Sequence, residues 1–155
     1  MESRPGQRDV LRCLLLAMLS MYSNESFSAQ PGRLADCPAT PNCVSSVSLD
    51  KRNFVASLSY SGGTANAWRV LVDTVLSLPR SKLAVESEGY LHFEISSHIF
   101  RFTDDVELLL DAEKKEMQIR SAARSGYSDF GVNRRRVEKI RKLFRQNLYQ
   151  SRESK

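Results

Sequence analysis

Tyr90-Leu-His-Phe-Glu-Ile-Ser96 decides the fold. Leu91, Phe93 and Ile95 alternate with Tyr90, His92 and Glu94, the two-residue period of a strand with one apolar face. The pattern repeats downstream, where Met117, Ile119 and Ser121 alternate with Gln118 and Arg120 up to Ala123. Between them, Val106–Asp111 reads as another strand, closed by the polar turn Asp111-Ala-Glu-Lys-Lys115. Leu83–Val85 precedes the first stretch across a Glu88-Gly89 turn, and Ile99–Phe102 is a shorter apolar piece. Consecutive strands joined by short turns predict an antiparallel meander.

Two helical periods flank the strands. Thr64 is an N-cap residue type, and Trp68, Leu71, Val72 and Val75 recur at helical spacing over 65–78 until Pro79 stops the run. Over 134–149, Val137, Ile140, Leu143, Phe144 and Leu148 form a second stripe behind Asn133, which is read as the N-cap, leaving Arg135, Lys139, Lys142 and Arg145 toward water. Two amphipathic helices need one sheet face to cover. The expectation is an α+β two-layer sandwich, α-β-β-β-β-α, with a four-stranded antiparallel meander. Phe54–Tyr60 reads as a short strand ahead of it. Gly62-Gly63 is no phosphate loop, because no Lys-Ser/Thr follows.

The first 29 residues read as an export signal. Arg4, Arg8 and Arg12 precede the apolar run Cys13–Met21, and small residues follow around Ser28 and Ala29. That run is far shorter than the ~20 residues of a membrane span. Residues 30–53 have no apolar period and read as an extended arm, 54–149 as a single α+β domain, and 150–155 as a basic tail. The expected location is periplasmic or otherwise exported. Cys37 and Cys43 stay with the mature chain, spaced C-x5-C. In an exported protein such a pair points to a disulfide; two free thiols, or Cys43 as a nucleophile, are the alternatives.

The net charge is +5. From Asn133 to Lys155 nine basic residues stand against two acidic ones, while the rest of the chain is close to neutral. A basic terminal helix suits an acidic protein, a small anionic ligand or an anionic membrane surface, unless it is simply a solvated face. Nucleic acid is disfavoured by export and by the lack of an aromatic–basic platform. No cofactor motif is present.

The chemistry concentrates in Arg120-Ser-Ala-Ala-Arg-Ser-Gly-Tyr-Ser-Asp-Phe-Gly-Val-Asn-Arg-Arg-Arg-Val-Glu138. Arg134, Arg135 and Arg136 stand at a helix start, where partial positive charge favours anions. Such a local conflict marks a functional or compensated site. Arg120, Arg124, Tyr127, Asn133, Arg134 and Arg136 are the candidate anion- or partner-binding residues, because guanidinium forks suit carboxylates and phosphates. The competing reading is an internal ion-pair lattice with Asp104, Asp105 and Asp129, in which Asp129 neutralises an arginine. Those same carboxylates, with Cys43, would serve a hydrolase or transferase if they faced one cleft. They offer oxygens to a cation, but no EF-hand spacing exists and arginines crowd them, so no metal is assigned. His92 is placed on the exposed strand face.

Pro41-Asn-Cys-Val-Ser-Ser46, Phe102-Thr-Asp-Asp105 and the 120–138 block together resemble the DUF1499 family over about Cys37–Phe144. Ala123 stands where the family pattern suggests Ser. The resemblance implies a small domain of bacterial envelopes and photosynthetic organelles, the latter making an organelle lumen the exported location, and implies no particular activity.

Overall fold

The computed structural model describes residues 32–96 and 102–153. The export signal therefore lies outside the described residues, as does most of the Ile99–Phe102 piece. The chain is α+β, and its described residues form six strands and two helices in the order β1 (Cys43–Ser45), β2 (Leu58–Ser59), α1 (Thr64–Leu76), β3 (Ser81–Ser87), β4 (Tyr90–Ser96), β5 (Thr103–Asp111), β6 (Glu116–Ala123) and α2 (Val132–Glu153).

The expected strands pair in chain order, β3-β4-β5-β6, all antiparallel. The sheet is larger than the expected meander. Arm residues Cys43–Ser45 form β1 on the open edge of β6, in register Cys43↔Ala122 and Ser45↔Arg120, and β2 continues that edge opposite Met117 and Glu116. The arm is thus part of the sheet. Cys37 and Cys43 are joined by a disulfide, with Cα atoms 5.6 Å apart, so the crosslink anchors the arm at the first residue of β1.

Alternation explains which side is apolar. Leu91, Phe93 and Ile95 of β4, Val106 and Leu108 of β5, Met117 and Ile119 of β6 and Val44 of β1 share one core with Val70, Leu71 and Val75 of α1 and Val137, Ile140, Phe144 and Leu148 of α2. Both helices therefore cover the same sheet face. α1 starts one residue earlier than expected. Gly63 is its N-cap, and the Thr64 hydroxyl lies 3.1 Å from that of Tyr60. Asn147 of α2 donates to the Thr74 hydroxyl of α1 at 3.0 Å, a polar link between the helices.

The opposite sheet face corrects the placement of His92, which is only 7% exposed. Tyr90, Asp105, Glu107 and Arg120 on that face are buried with it. Polar residues in alternation normally mean solvent. Here they mean a second buried layer, made of hydrogen bonds and ion pairs.

Candidate functional site

That layer has two ladders. Glu107 is 0% exposed; it accepts from the Tyr90 hydroxyl at 2.9 Å and from Arg120 Nη1 at 2.6 Å. Burial, then the neighbouring Glu107 charge, raise the Tyr90 hydroxyl pKa. The next ladder is His92, Asp105, Arg124 and Glu94. His92 Nε2 lies 2.7 Å from Asp105 Oδ1. Arg124 donates to Asp105 through Nε and Nη2 at 2.8–3.1 Å, and to Glu94 at 2.6 Å. Burial pushes the Asp105 pKa up, but its bonds to His92 and Arg124 outweigh that, and the net shift is downward. The hydrogen bond from Arg124 likewise lowers Glu94. Asp105 and Glu94 in turn raise Arg124.

A third cluster lies on the helix side and joins the three segments behind the DUF1499 resemblance. Asn133 is buried inside the first turn of α2. Its Oδ1 accepts from the Ser121 hydroxyl at 2.6 Å and from Arg136, and its Nδ2 donates to the Asn42 carbonyl at 3.0 Å. Arg136 also donates to Ser121 at 3.1 Å and pairs with Asp104. Asn42 donates to the Gly126 carbonyl at 2.6 Å. The arm, β5, β6 and α2 are thereby tied at one point. Burial raises the Asp104 pKa, more than the charge and hydrogen bond of Arg136 lower it, and the Asp129 and Asp105 charges add to the rise.

Asp129 corrects two expectations. It belongs to none of the ion pairs among the described residues. Its carboxylate accepts the backbone N–H of Gly131 at 2.9 Å and of Asn133 at 2.7 Å, so it caps α2 in place of Asn133. A carboxylate at a helix start also suits the dipole.

The three arginines of the helix start each meet an oxygen. Arg134 donates to the carbonyls of Arg52 and Phe54 at 2.6 and 2.8 Å. Arg141 and Arg152 continue this along α2, to the carbonyls of Ala56 and Ser57 and to the Ser61 hydroxyl. Arg135 donates to the Phe130 carbonyl at 2.9 Å, and Arg136 takes Asp104. Of the six candidate binding residues, Arg120, Arg124 and Arg136 hold carboxylates, Arg134 holds carbonyls and Asn133 is buried. Tyr127 is 74% exposed.

Open cationic surface gathers beside the block. A groove of about 430 Å³ is lined by Leu78, Pro79 and Arg80 after α1, Ile95 and Ser96 ending β4, and Val132, Arg135, Arg136 and Lys139 of α2. Among the described residues, four cations and no carboxylate line it, and of the four only Arg136 is neutralised, by Asp104. Arg80 donates to the Ser96 carbonyl at 2.9 Å but, with Arg135 and Lys139, enters no ion pair among the described residues. Sequence reasoning missed Arg80. Its one signal, a cation after the helix-ending Pro79, is weak. A larger hollow of about 650 Å³ beside the arm carries Arg33 and Arg52, but each is paired, with Asp36 at 3.1 Å and Asp50 at 2.7 Å.

The three motif segments and the knot they tie agree with a family match. Residues 33–144 match the family described as Protein of unknown function (DUF1499). The chain belongs to the DUF1499 family. No curated protein matches it. Among the described residues, no group of His, Cys, Asp and Glu is placed to hold a metal ion, and no helix is long and apolar enough to cross a membrane.

Proposed function

We propose that this DUF1499 domain is an exported cell-envelope accessory protein that recognises an acidic partner or a small anion. The observation that carries the reading is the groove whose Arg80, Arg135 and Lys139 face no carboxylate among the described residues. Its volume falls in the range of small-ligand sites, roughly 300–1,000 Å³. The arginine block supports the groove from behind: Arg136, fixed by Asp104 and Asn133, sets the N-terminal part of α2, from which Arg135 and Lys139 project on one face, four residues apart. Export is supported by the arginine-led apolar segment at 1–29 and by the Cys37–Cys43 disulfide, which suits an oxidising compartment.

A hydrolase built on Asp104, Asp105 and Asp129 has less support. The first two are held by arginines and the third by backbone amides.

The test is calorimetric titration of the mature chain with an Asp/Glu-rich peptide and with inorganic phosphate. Binding that weakens with salt and is lost in Arg80→Gln/Arg135→Gln/Lys139→Gln is expected. If the folded parent protein binds neither of these nor an anionic vesicle, the anion-recognition reading is wrong. Mass spectrometry of the native protein checks export; an intact Met1 in a cytosolic fraction overturns it.

A further inference from the structure

Beyond its cations, the groove has apolar character that a bare phosphate or carboxylate does not use. Leu78, Pro79, Ile95 and Val132 form its walls, and Val132 is itself partly open to solvent. Two residues before the groove's Val132 stands Phe130, 87% exposed, with its carbonyl held by the groove's Arg135. Phe102, also exposed, precedes Thr103, which pairs with the groove residue Ser96.

Two of these residues occupy unusual backbone. Arg80 has φ 58° and Phe130 has φ 52°, the left-handed region that glycine or asparagine tolerates far better than bulky residues. Arg80 directs its guanidinium to the end of β4, and Phe130 holds its ring in water. Strain at non-glycine positions recurs at binding sites. On α2, Arg135, Lys139 and Lys142 share one exposed face at i, i+4 and i+7, extending the cationic surface away from the groove.

Resting on the anion-binding reading above, we propose that the anion is the headgroup of an acidic phospholipid in a bilayer. In this arrangement Arg80, Arg135 and Lys139 meet lipid phosphates, and Phe130 enters the boundary between headgroups and acyl chains. A bilayer surface offers negative charge and apolar depth side by side. Peripheral proteins bind it stably when basic residues and an apolar anchor act together. A soluble anion would satisfy the cations and leave Phe130 without a role.

The experiment is co-sedimentation of the mature chain with vesicles of phosphatidylglycerol mixed equally with phosphatidylcholine, against vesicles of phosphatidylcholine alone. Binding to the acidic vesicles only is expected, weakening with salt. Each of Arg80→Gln, Arg135→Gln and Lys139→Gln should weaken it about fivefold. Phe130→Asn removes the ring while keeping a residue that tolerates the left-handed backbone. It should weaken vesicle binding about tenfold and leave binding of inorganic phosphate or acidic peptide unchanged. Near-UV circular dichroism confirms that each variant is folded.

If the parent binds phosphate or acidic peptide but not the acidic vesicles, the lipid proposal is wrong and the anion-recognition reading stands. Equal binding to both kinds of vesicle also overturns the proposal, as does vesicle binding that Phe130→Asn leaves unchanged. If vesicles, phosphate and peptide all go unbound, both readings fall.

Discussion

Arg120 and Arg135 come from the same block, fifteen residues apart, and meet opposite surroundings. Arg120 is buried against a fully buried Glu107, with Tyr90 on the other carboxylate oxygen. Arg135 is exposed, holds one carbonyl and faces a groove that no carboxylate of the described residues lines. The difference teaches that an arginine-rich motif is no unit of function. Its members divide by the oxygens that the fold brings to them. Strand register brings Glu107 to Arg120 and Asp105 to the neighbourhood of Arg124, and α2 sets Arg136 on Asp104. Among the described residues, nothing acidic is brought to Arg135.

The comparison breaks most visibly at Glu107. Arg120→Ala leaves a carboxylate buried without its cation, which typically costs about 3–5 kcal/mol. Urea unfolding should show a loss of that order. Replacing Glu107 and Arg120 together by Leu and Met should recover most of it, because a buried pair and a well-packed apolar pair are similar in net stability. A small loss in the single variant would mean that the pair is not a lock. Reducing the Cys37–Cys43 disulfide comes next, with a loss of about 2 kcal/mol on the chain-entropy account. Melts with and without reductant measure it. Asp129→Ala removes the cap of α2 and should cost about 1 kcal/mol; a far larger loss would point to a buried ion pair instead.

Smaller still is the net pH effect of the two adjacent aspartates, because they shift in opposite directions. The folded-state pKa of Asp105 is depressed, so its contribution to stability is present above the ordinary aspartate range and fades as pH falls through the lowered value. The Asp104 pKa is raised, so its contribution is present below the ordinary range and is lost as pH rises through the raised value. Carboxyl-carbon NMR titration, assigned with Asp104→Asn and Asp105→Asn, should find Asp104 titrating at the higher pH. The reverse order would contradict the environments described for both.

How far the sequence carries such distinctions depends on how local the signal is. The strands β4 and β6 and the stripe of α2 were legible, because alternation and helical spacing are written in neighbouring residues. The end of α1 was legible only approximately, since the helix stops at Leu76, two residues before the end expected ahead of Pro79. The strand β1 was not legible, and β2 was read only as part of a longer strand over Phe54–Tyr60. Three and two residues are too few for a period, and their partner β6 lies about sixty to eighty residues further along the chain. His92 was misplaced because alternation separates polar from apolar faces and is silent on whether a polar face meets water or Asp105. Asp129 was read as an ionic partner because composition shows its charge, whereas the cap depends on the turn from Asp129 to Asn133. The groove was invisible for a different reason. Arg80 and Arg135 come from elements 55 residues apart, and only the packing of α1 and α2 across the end of β4 makes them neighbours.

The smallest expected change sharpens the comparison furthest. Arg80→Gln/Arg135→Gln/Lys139→Gln removes three positive charges from an exposed surface. Arg80 and Arg135 each lose a single bond to a backbone carbonyl, at Ser96 and Phe130, and Lys139 loses no ion pair found among the described residues. Surface changes away from caps, cores and buried pairs usually stay within about 0.5 kcal/mol, so the triple variant should unfold in urea close to the parent. Arg136→Gln is the internal control one residue away. It strands Asp104, whose pairing is buried, and strips a donor from Asn133 and Ser121, so it should lose several times more. Equal losses in the two variants would mean that the groove cations belong to the same lattice as Arg120. The division between a locked interior and an open cationic end would then be wrong. A stable triple variant that has lost its anion binding would show that the open end is spare to the fold and reserved for a ligand.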